Sequence, residues 1–169
     1  MSVAPDALRR SMLAFGLLLA AAAAIASGAF LLLDRGPGAP APSTVGGPFE
    51  LIDHDGRKVT NKDFEGRPYF VFFGFTHCPD VCPAALAGMS AVFEKLPADA
   101  KISALFISVD PERDTPASLK DYLSSFDKRI VGLWGDPETT RAVMKSFRAF
   151  ASKVPMKDGD YTMDHTAIA

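Results

Sequence analysis

Three apolar runs constrain this 169-residue chain more than anything else in it. They are Tyr69-Phe70-Val71-Phe72-Phe73-Gly74-Phe75, the stretch Lys101 to Val109, and Ile130-Val131-Gly132-Leu133-Trp134. Each is short, rich in aromatic and β-branched residues, and followed by helix-start signals, as expected of strands buried on both faces. Pro83 opens the first helical stretch, with Leu86, Met89, Val92, Phe93 and Leu96 near 3.6-residue spacing. Thr115-Pro116 and Asp136-Pro137 each place a capping residue before a proline at the first helical position. The helices they start carry Leu119, Tyr122, Leu123 and Phe126, then Val143, Met144, Phe147 and Phe150. Phe49 to Thr60 reads as a hairpin turning at Asp53-His54-Asp55-Gly56. Alternating strands and helices predict a parallel-cored α/β sheet with helices on both faces. Ligands of such sheets sit at the carboxyl ends of the strands, where Cys78 and Asp110 fall.

The hydrophobic content of 48% is not all core. From Ser11 to Leu33 run 23 residues without a charge. At about 1.5 Å per residue they cross a hydrocarbon layer of roughly 30 Å. Arg9 and Arg10 precede them, so the positive-inside rule keeps residues 1–10 in the cytoplasm and exports the rest. A cleaved signal peptide, with Ala24-Ile25-Ala26 as its small-residue site, is the competing reading. The apolar run continues past that site to Leu33, which favours an uncleaved anchor in a bacterial inner membrane. Residues 34–48, rich in Pro, Gly and Ser, read as a solvated spacer before a periplasmic domain over 49–169. A net charge of −2, with no basic stripe, argues against a nucleic-acid partner.

Cys78 and Cys82 are the only cysteines, in Cys78-Pro79-Asp80-Val81-Cys82-Pro83 between the first core strand and its helix. Thiolates at a helix N-terminus are favoured by the unsatisfied N–H groups and the positive end of the dipole. They are therefore good nucleophiles and soft metal ligands. A disulfide is the structural alternative, but one closing so short a loop constrains the unfolded chain little. Far downstream lies His165, in Asp160-Tyr161-Thr162-Met163-Asp164-His165. Two sulfurs and one imidazole nitrogen form a three-donor set suited to copper, whereas structural zinc usually takes four ligands. On the residues alone, His165 is equally readable as a histidine capping a loop. Asp80 reads as a helix cap or a charge shown to a partner, and Asp164 as an orienting group for His165 or a turn former. His77 is set outside the donor set, because adjacent side chains of an extended segment point apart. His54 reads as a solvated loop residue and Asp110 as a turn residue before Pro111.

Three separated motifs, Gly74-Phe75-Thr76-His77-Cys78-Pro79-Asp80-Val81-Cys82-Pro83, Ser108-Val109-Asp110-Pro111-Glu112-Arg113-Asp114-Thr115-Pro116 and Asp160 to His165, closely resemble the Sco/SenC family. The resemblance runs from about Phe49 to the end of the chain. It implies a membrane-anchored, thioredoxin-like fold that binds copper, as Cu(I) or Cu(II), on Cys78, Cys82 and His165. It also implies a role in assembling the copper A centre of cytochrome c oxidase, whose copper A subunit becomes the expected partner. Other copper chaperones or thiol reductants are further expected partners. Family members continue past this histidine through a strand, a turn and a helix, so the chain, ending at Thr166-Ala167-Ile168-Ala169, is expected to be incomplete there.

Two roles share the cysteines. A metallochaperone would hold copper between the sulfurs and pass it on by ligand exchange. A thiol-disulfide oxidoreductase would attack with Cys78 and resolve the mixed disulfide with Cys82. A peroxide-reducing thiolate ranks last, because no Arg or Lys lies between Pro68 and Glu94 to lower a thiol pKa.

Overall fold

The computed structural model describes residues 15–25, 27–28, 45–97, 99–157 and 159–166. The chain divides into two units, Met1–Ser43 and Thr44–Ala169. In the first, residues 15–25 are helical and expose Phe15, Leu17, Leu18, Leu19 and Ile25. Among the described residues no helix is long and apolar enough to cross a membrane. Residues 1–10, expected to be cytoplasmic, both ends of the expected anchor and residues 34–44 of the expected spacer lie outside the described residues, as do 167–169 at the other end.

The second unit is the α/β domain, with a five-stranded mixed sheet in the order β2-β1-β5-β4-β3. Strands β1 (Glu50–Asp53) and β2 (Lys58–Thr60) form the antiparallel hairpin, and β1 pairs antiparallel with β5 (Ile130–Trp134). β3 (Tyr69–Gly74), β4 (Ser103–Ser108) and β5 run parallel. Parallel neighbours need a crossover, and α1 (Val81–Glu94) and α2 (Pro116–Leu123) supply the two. The helix α3 (Pro137–Ser146) follows β5.

Register decides which helix covers which face. Phe72 pairs with Phe106 and Phe106 with Gly132, so these three point to one side. Helix α2 packs there so closely that a Cβ on Gly132 would lie 2.7 Å from Leu123 Cδ1. On the opposite side Phe73 meets Phe147, at the end of α3, with ring centroids 5.8 Å apart. Helices thus cover both faces, as the alternation predicted.

Four details differ from the sequence reading. β3 is an edge strand among the described residues, and it is not buried on both faces throughout: Phe70 is 41% exposed. Helix α1 begins at Val81, two residues before Pro83, whose missing N–H would be unpaired in the first turn anyway. Helix α3 stops at Ser146, leaving Phe150 outside it and exposed. His54 is not a plain loop residue: its Nδ1 accepts from the Gly132 N–H at 2.9 Å, extending the β1–β5 contact.

Arg148 explains the end of α3. It takes φ +55°, while its N–H bonds to Lys145 O at 3.1 Å and that of Ala149 to Met144 O at 2.9 Å. This is the paired-bond stop usually given to glycine. It turns the chain into a separate antiparallel hairpin, β6 (Ala151–Pro155) and β7 (Tyr161–His165), which the apolar periodicity did not reveal. Arg148→Gly should therefore stabilise the domain by about 1 kcal/mol, since left-handed backbone strains a side-chain-bearing residue. A thermal melt should show Tm raised by a few degrees.

Candidate metal centre

The loop after β3 is held by a buried carboxylate. Asp114, fully buried at the start of α2, accepts from the Thr76 N–H at 3.2 Å, from Thr76 Oγ1 at 2.5 Å and from Ser108 Oγ at 2.6 Å. It ties the end of β3 to the end of β4 and fixes where the cysteine segment leaves the sheet. Asp114→Ala should leave these donors without their acceptor and cost about 3 kcal/mol, since bonds to a charged group are each worth about 1.5–3 kcal/mol. Urea unfolding of wild type and variant would measure it.

The segment then enters α1 in an unusual way. Asp80 occupies the N-cap position, but its side chain makes no capping bond. Cys78 Sγ instead accepts the N–H of Cys82, at 3.4 Å. A sulfur takes the role expected of the Asp80 carboxylate, because the loop places it over the second residue of the helix. Cys82 is fully buried, and Gly74 makes room for it: a Cβ there would lie 2.8 Å from Cys82 Sγ. Both cysteines are free thiols, Cys78 partly exposed and Cys82 not.

Burial, above all, pushes the Cys82 thiol up to about 12; a hydrogen bond involving the Phe75 backbone opposes the shift, and Cys78 adds to it. At pH 8 such a thiol is ionised to only about one part in ten thousand. Alkylation of the reduced, metal-free protein at pH 8 should therefore modify Cys78 first, with Cys82 reacting only after unfolding. Mass mapping of the labelled peptides would check the order.

His165 arrives from the other sheet. Its Nε2 lies 3.9 Å from Cys82 Sγ, and its Nδ1 lies 3.2 Å from the Thr166 carbonyl. A carbonyl only accepts, so Nδ1 is the nitrogen placed to donate to Thr166 and Nε2 is the one that faces the sulfurs. The ring stands edge-on to Phe75 and Phe72, with centroids 5.7 and 6.5 Å away. The donor atoms of Cys78, Cys82 and His165 all lie within 4.8 Å of one another. The structure thus gathers all three candidate ligands, which are 83 residues apart in the widest bonded pair.

The other sequence candidates are placed differently. Asp164 is exposed on β7, pointing away from its neighbour His165, and the Thr166 backbone orients the ring in its place. His77 stays outside the donor set, its Nδ1 3.1 Å from Thr76 Oγ1. Asp110 is more than a turn former. It is buried and accepts from Arg113 Nε at 2.5 Å and from the Tyr161 hydroxyl at 2.8 Å. Burial first, and that bond second, push the Tyr161 hydroxyl up to about 12. Sequence reasoning missed Thr76, Asp114, Arg113 and Tyr161 as parts of the site, although all four lie inside the quoted motifs. For Arg113 and Asp114 the available signal was a pair of charged residues directly behind the apolar run 101–109; Thr76 and Tyr161 gave none.

A family model described as SCO1/SenC matches residues 37–169. The chain belongs to the SCO1/SenC family. Among solved structures, Bradyrhizobium japonicum ScoI with copper bound is 58% identical, with TM-score 0.70, over 73% of this chain and 79% of its own. Arabidopsis thaliana ScoI with copper bound is 41% identical, with TM-score 0.68, over 73% and 78%. Among curated relatives, Protein SCO1 homolog 1, mitochondrial, of Arabidopsis thaliana is 39% identical over 140 residues, 82% of this chain and 42% of that protein. The human Protein SCO1 homolog, mitochondrial, is 41% identical over 128 residues, covering 73% and 42%. The chain thus spans less than half the length of these curated relatives. The five-stranded sheet and its helices are the thioredoxin-like arrangement of this family.

Proposed function

We propose that this chain is a membrane-anchored copper metallochaperone. It holds copper on Cys78, Cys82 and His165, and delivers it to, or prepares the cysteines of, the copper A centre of cytochrome c oxidase. One observation carries the reading: two thiols and an imidazole nitrogen within 4.8 Å at the carboxyl edge of the sheet, in a chain 58% identical to a copper-bound ScoI. Soft sulfur donors select Cu(I), and imidazole serves either oxidation state. Family membership supports the oxidase role and the copper A partner. The uncharged run Ser11–Leu33 behind Arg9 and Arg10 supports an inner-membrane anchor with the domain in the periplasm.

The cysteines divide the work of cargo handling. Cys82, buried and with its pKa raised, must give up a proton for its sulfur to bind, so uptake releases protons and weakens as pH falls. Cys78, partly exposed, is the sulfur an incoming partner thiolate can approach first, and ligand exchange begins there. A second reading, reduction of the oxidase cysteines, draws on the same asymmetry. Cys78 attacks the partner disulfide, Cys82 then displaces the partner's thiol, and a Cys78–Cys82 disulfide remains for an external dithiol to reduce.

His165→Ala separates the readings. It removes the nitrogen donor and leaves both thiols at the helix start. Under the metallochaperone reading, copper affinity and oxidase assembly should fall at least tenfold while thiol-disulfide exchange persists. Cys78→Ser and Cys82→Ser should abolish both. Wild-type assembly by His165→Ala would transfer the function to the reductase reading.

A further inference from the structure

Arg113 reaches from the loop after β4 to the hairpin that carries His165. Its Nε donates to Asp110, and its Nη1 donates to the Tyr161 carbonyl at 2.8 Å and to Asp160 Oδ1 at 3.2 Å. Its guanidinium carbon lies 3.8 Å from the centroid of the Tyr161 ring and 5.9 Å from that of Phe75. The Tyr161 hydroxyl closes the circuit on Asp110. The Nη2 atom is buried without a partner among the described residues, so the other two nitrogens and the stacked ring orient the group.

These contacts matter because of the topology. β6 and β7 form a sheet of their own, and among the described residues neither is paired to the five-stranded sheet that carries the cysteines. The position of His165 relative to Cys82 therefore depends on side chains. Tyr161, Met163 and His165 share one face of β7, and Met163 packs against the core. At the His165 end the backbone hydrogen bond beyond the strand, among the described residues, stays local: the Thr166 N–H donates to the Phe150 carbonyl at 2.9 Å, and only the imidazole ring itself meets the main sheet, at Phe72 and Phe75. The other end, about 13 Å away along the strand, is the one that Arg113 fastens to the main sheet.

We propose that Arg113, with Asp110 and Tyr161, is the positioning residue that sets His165 as a third donor beside Cys82; the inference rests on the copper reading above. Arg113 contacts none of the three donors and works by fixing the hairpin. A planar fork that bonds a carboxylate and a carbonyl while stacking on a ring is available to arginine and not to lysine. Releasing it leaves the two sulfurs in place and lets the imidazole drift.

The test compares wild type with Arg113→Ala, Arg113→Lys, Tyr161→Phe and His165→Ala. In the metal-free proteins, the ring protons of His165 report its place against Phe72 and Phe75 by NMR. With Cu(II) added, electron paramagnetic resonance reports nitrogen hyperfine coupling. Arg113→Ala and Arg113→Lys should move the His165 ring signals toward those of unstructured histidine. Both should also lose the nitrogen coupling and bind Cu(II) at least tenfold more weakly, while still taking one Cu(I). Tyr161→Phe, which keeps the stacked ring, should fall between. A merely structural arginine would lower Tm and leave the ring signals and the nitrogen coupling as in wild type, and that result overturns the proposal. If Arg113→Ala does not fold, Tyr161→Phe decides, and wild-type signals there overturn it equally. If His165→Ala keeps the wild-type copper spectrum, the copper reading fails instead, and the metal-free ring signals alone judge the clamp.

Discussion

Three donors converge on the carboxylate of Asp114, which has no exposure to water. A buried charge is tolerable only when its lone pairs are satisfied, and here the donors come from the ends of two adjacent parallel strands. The bond to Thr76 sets the start of the cysteine loop, two residues before Cys78, and the bond to Ser108 sets the start of the loop that holds Asp110 and Arg113. Both halves of the site therefore take their origin from one side chain. The cost of burying that carboxylate is offset by its three hydrogen bonds, which make a junction at the carboxyl edge of the sheet, where the three candidate donors lie.

The two cysteines, four residues apart, meet different environments because one lies before the helix and the other inside it. Cys78 caps the helix with its sulfur, while Cys82 turns inward over Gly74. Burial raises the Cys82 thiol pKa, so it is held protonated until a metal or a disulfide replaces its hydrogen, while the partly exposed Cys78 is the accessible partner. Metal transfer and thiol exchange both need such an asymmetry, which is why a single site can support either.

His165 is the less secure member of the set. It comes from a two-stranded sheet with no ladder to the rest of the domain among the described residues, and its ring rests on two aromatic edges and a backbone carbonyl. A donor mounted in this way can be held firmly or released with small changes in the clamp that supports it. Under the proposed metallochaperone role, a site that must both bind and give up its ion needs that property more than it needs maximal affinity.

The sequence by itself determined the elements and the chemistry. The apolar runs at Tyr69, Lys101 and Ile130 became β3, β4 and β5, the cap-proline pairs at Thr115 and Asp136 became helix starts, and the spacing of Cys78 and Cys82 put both sulfurs at the head of α1. These features are local: periodicity, capping and turn chemistry act within a few residues and can be read in order along the chain. The tertiary structure decided the rest. That β3 is an edge among the described residues follows from the sheet order, and that Asp110 bonds to Tyr161, that Arg113 binds the Tyr161 carbonyl and that Nε2 of His165 lies beside Cys82 depend on contacts across 48 to 83 residues. No propensity or spacing rule encodes such contacts, because they exist only once the sheet has brought its strand ends to one edge and the hairpin has folded back over them.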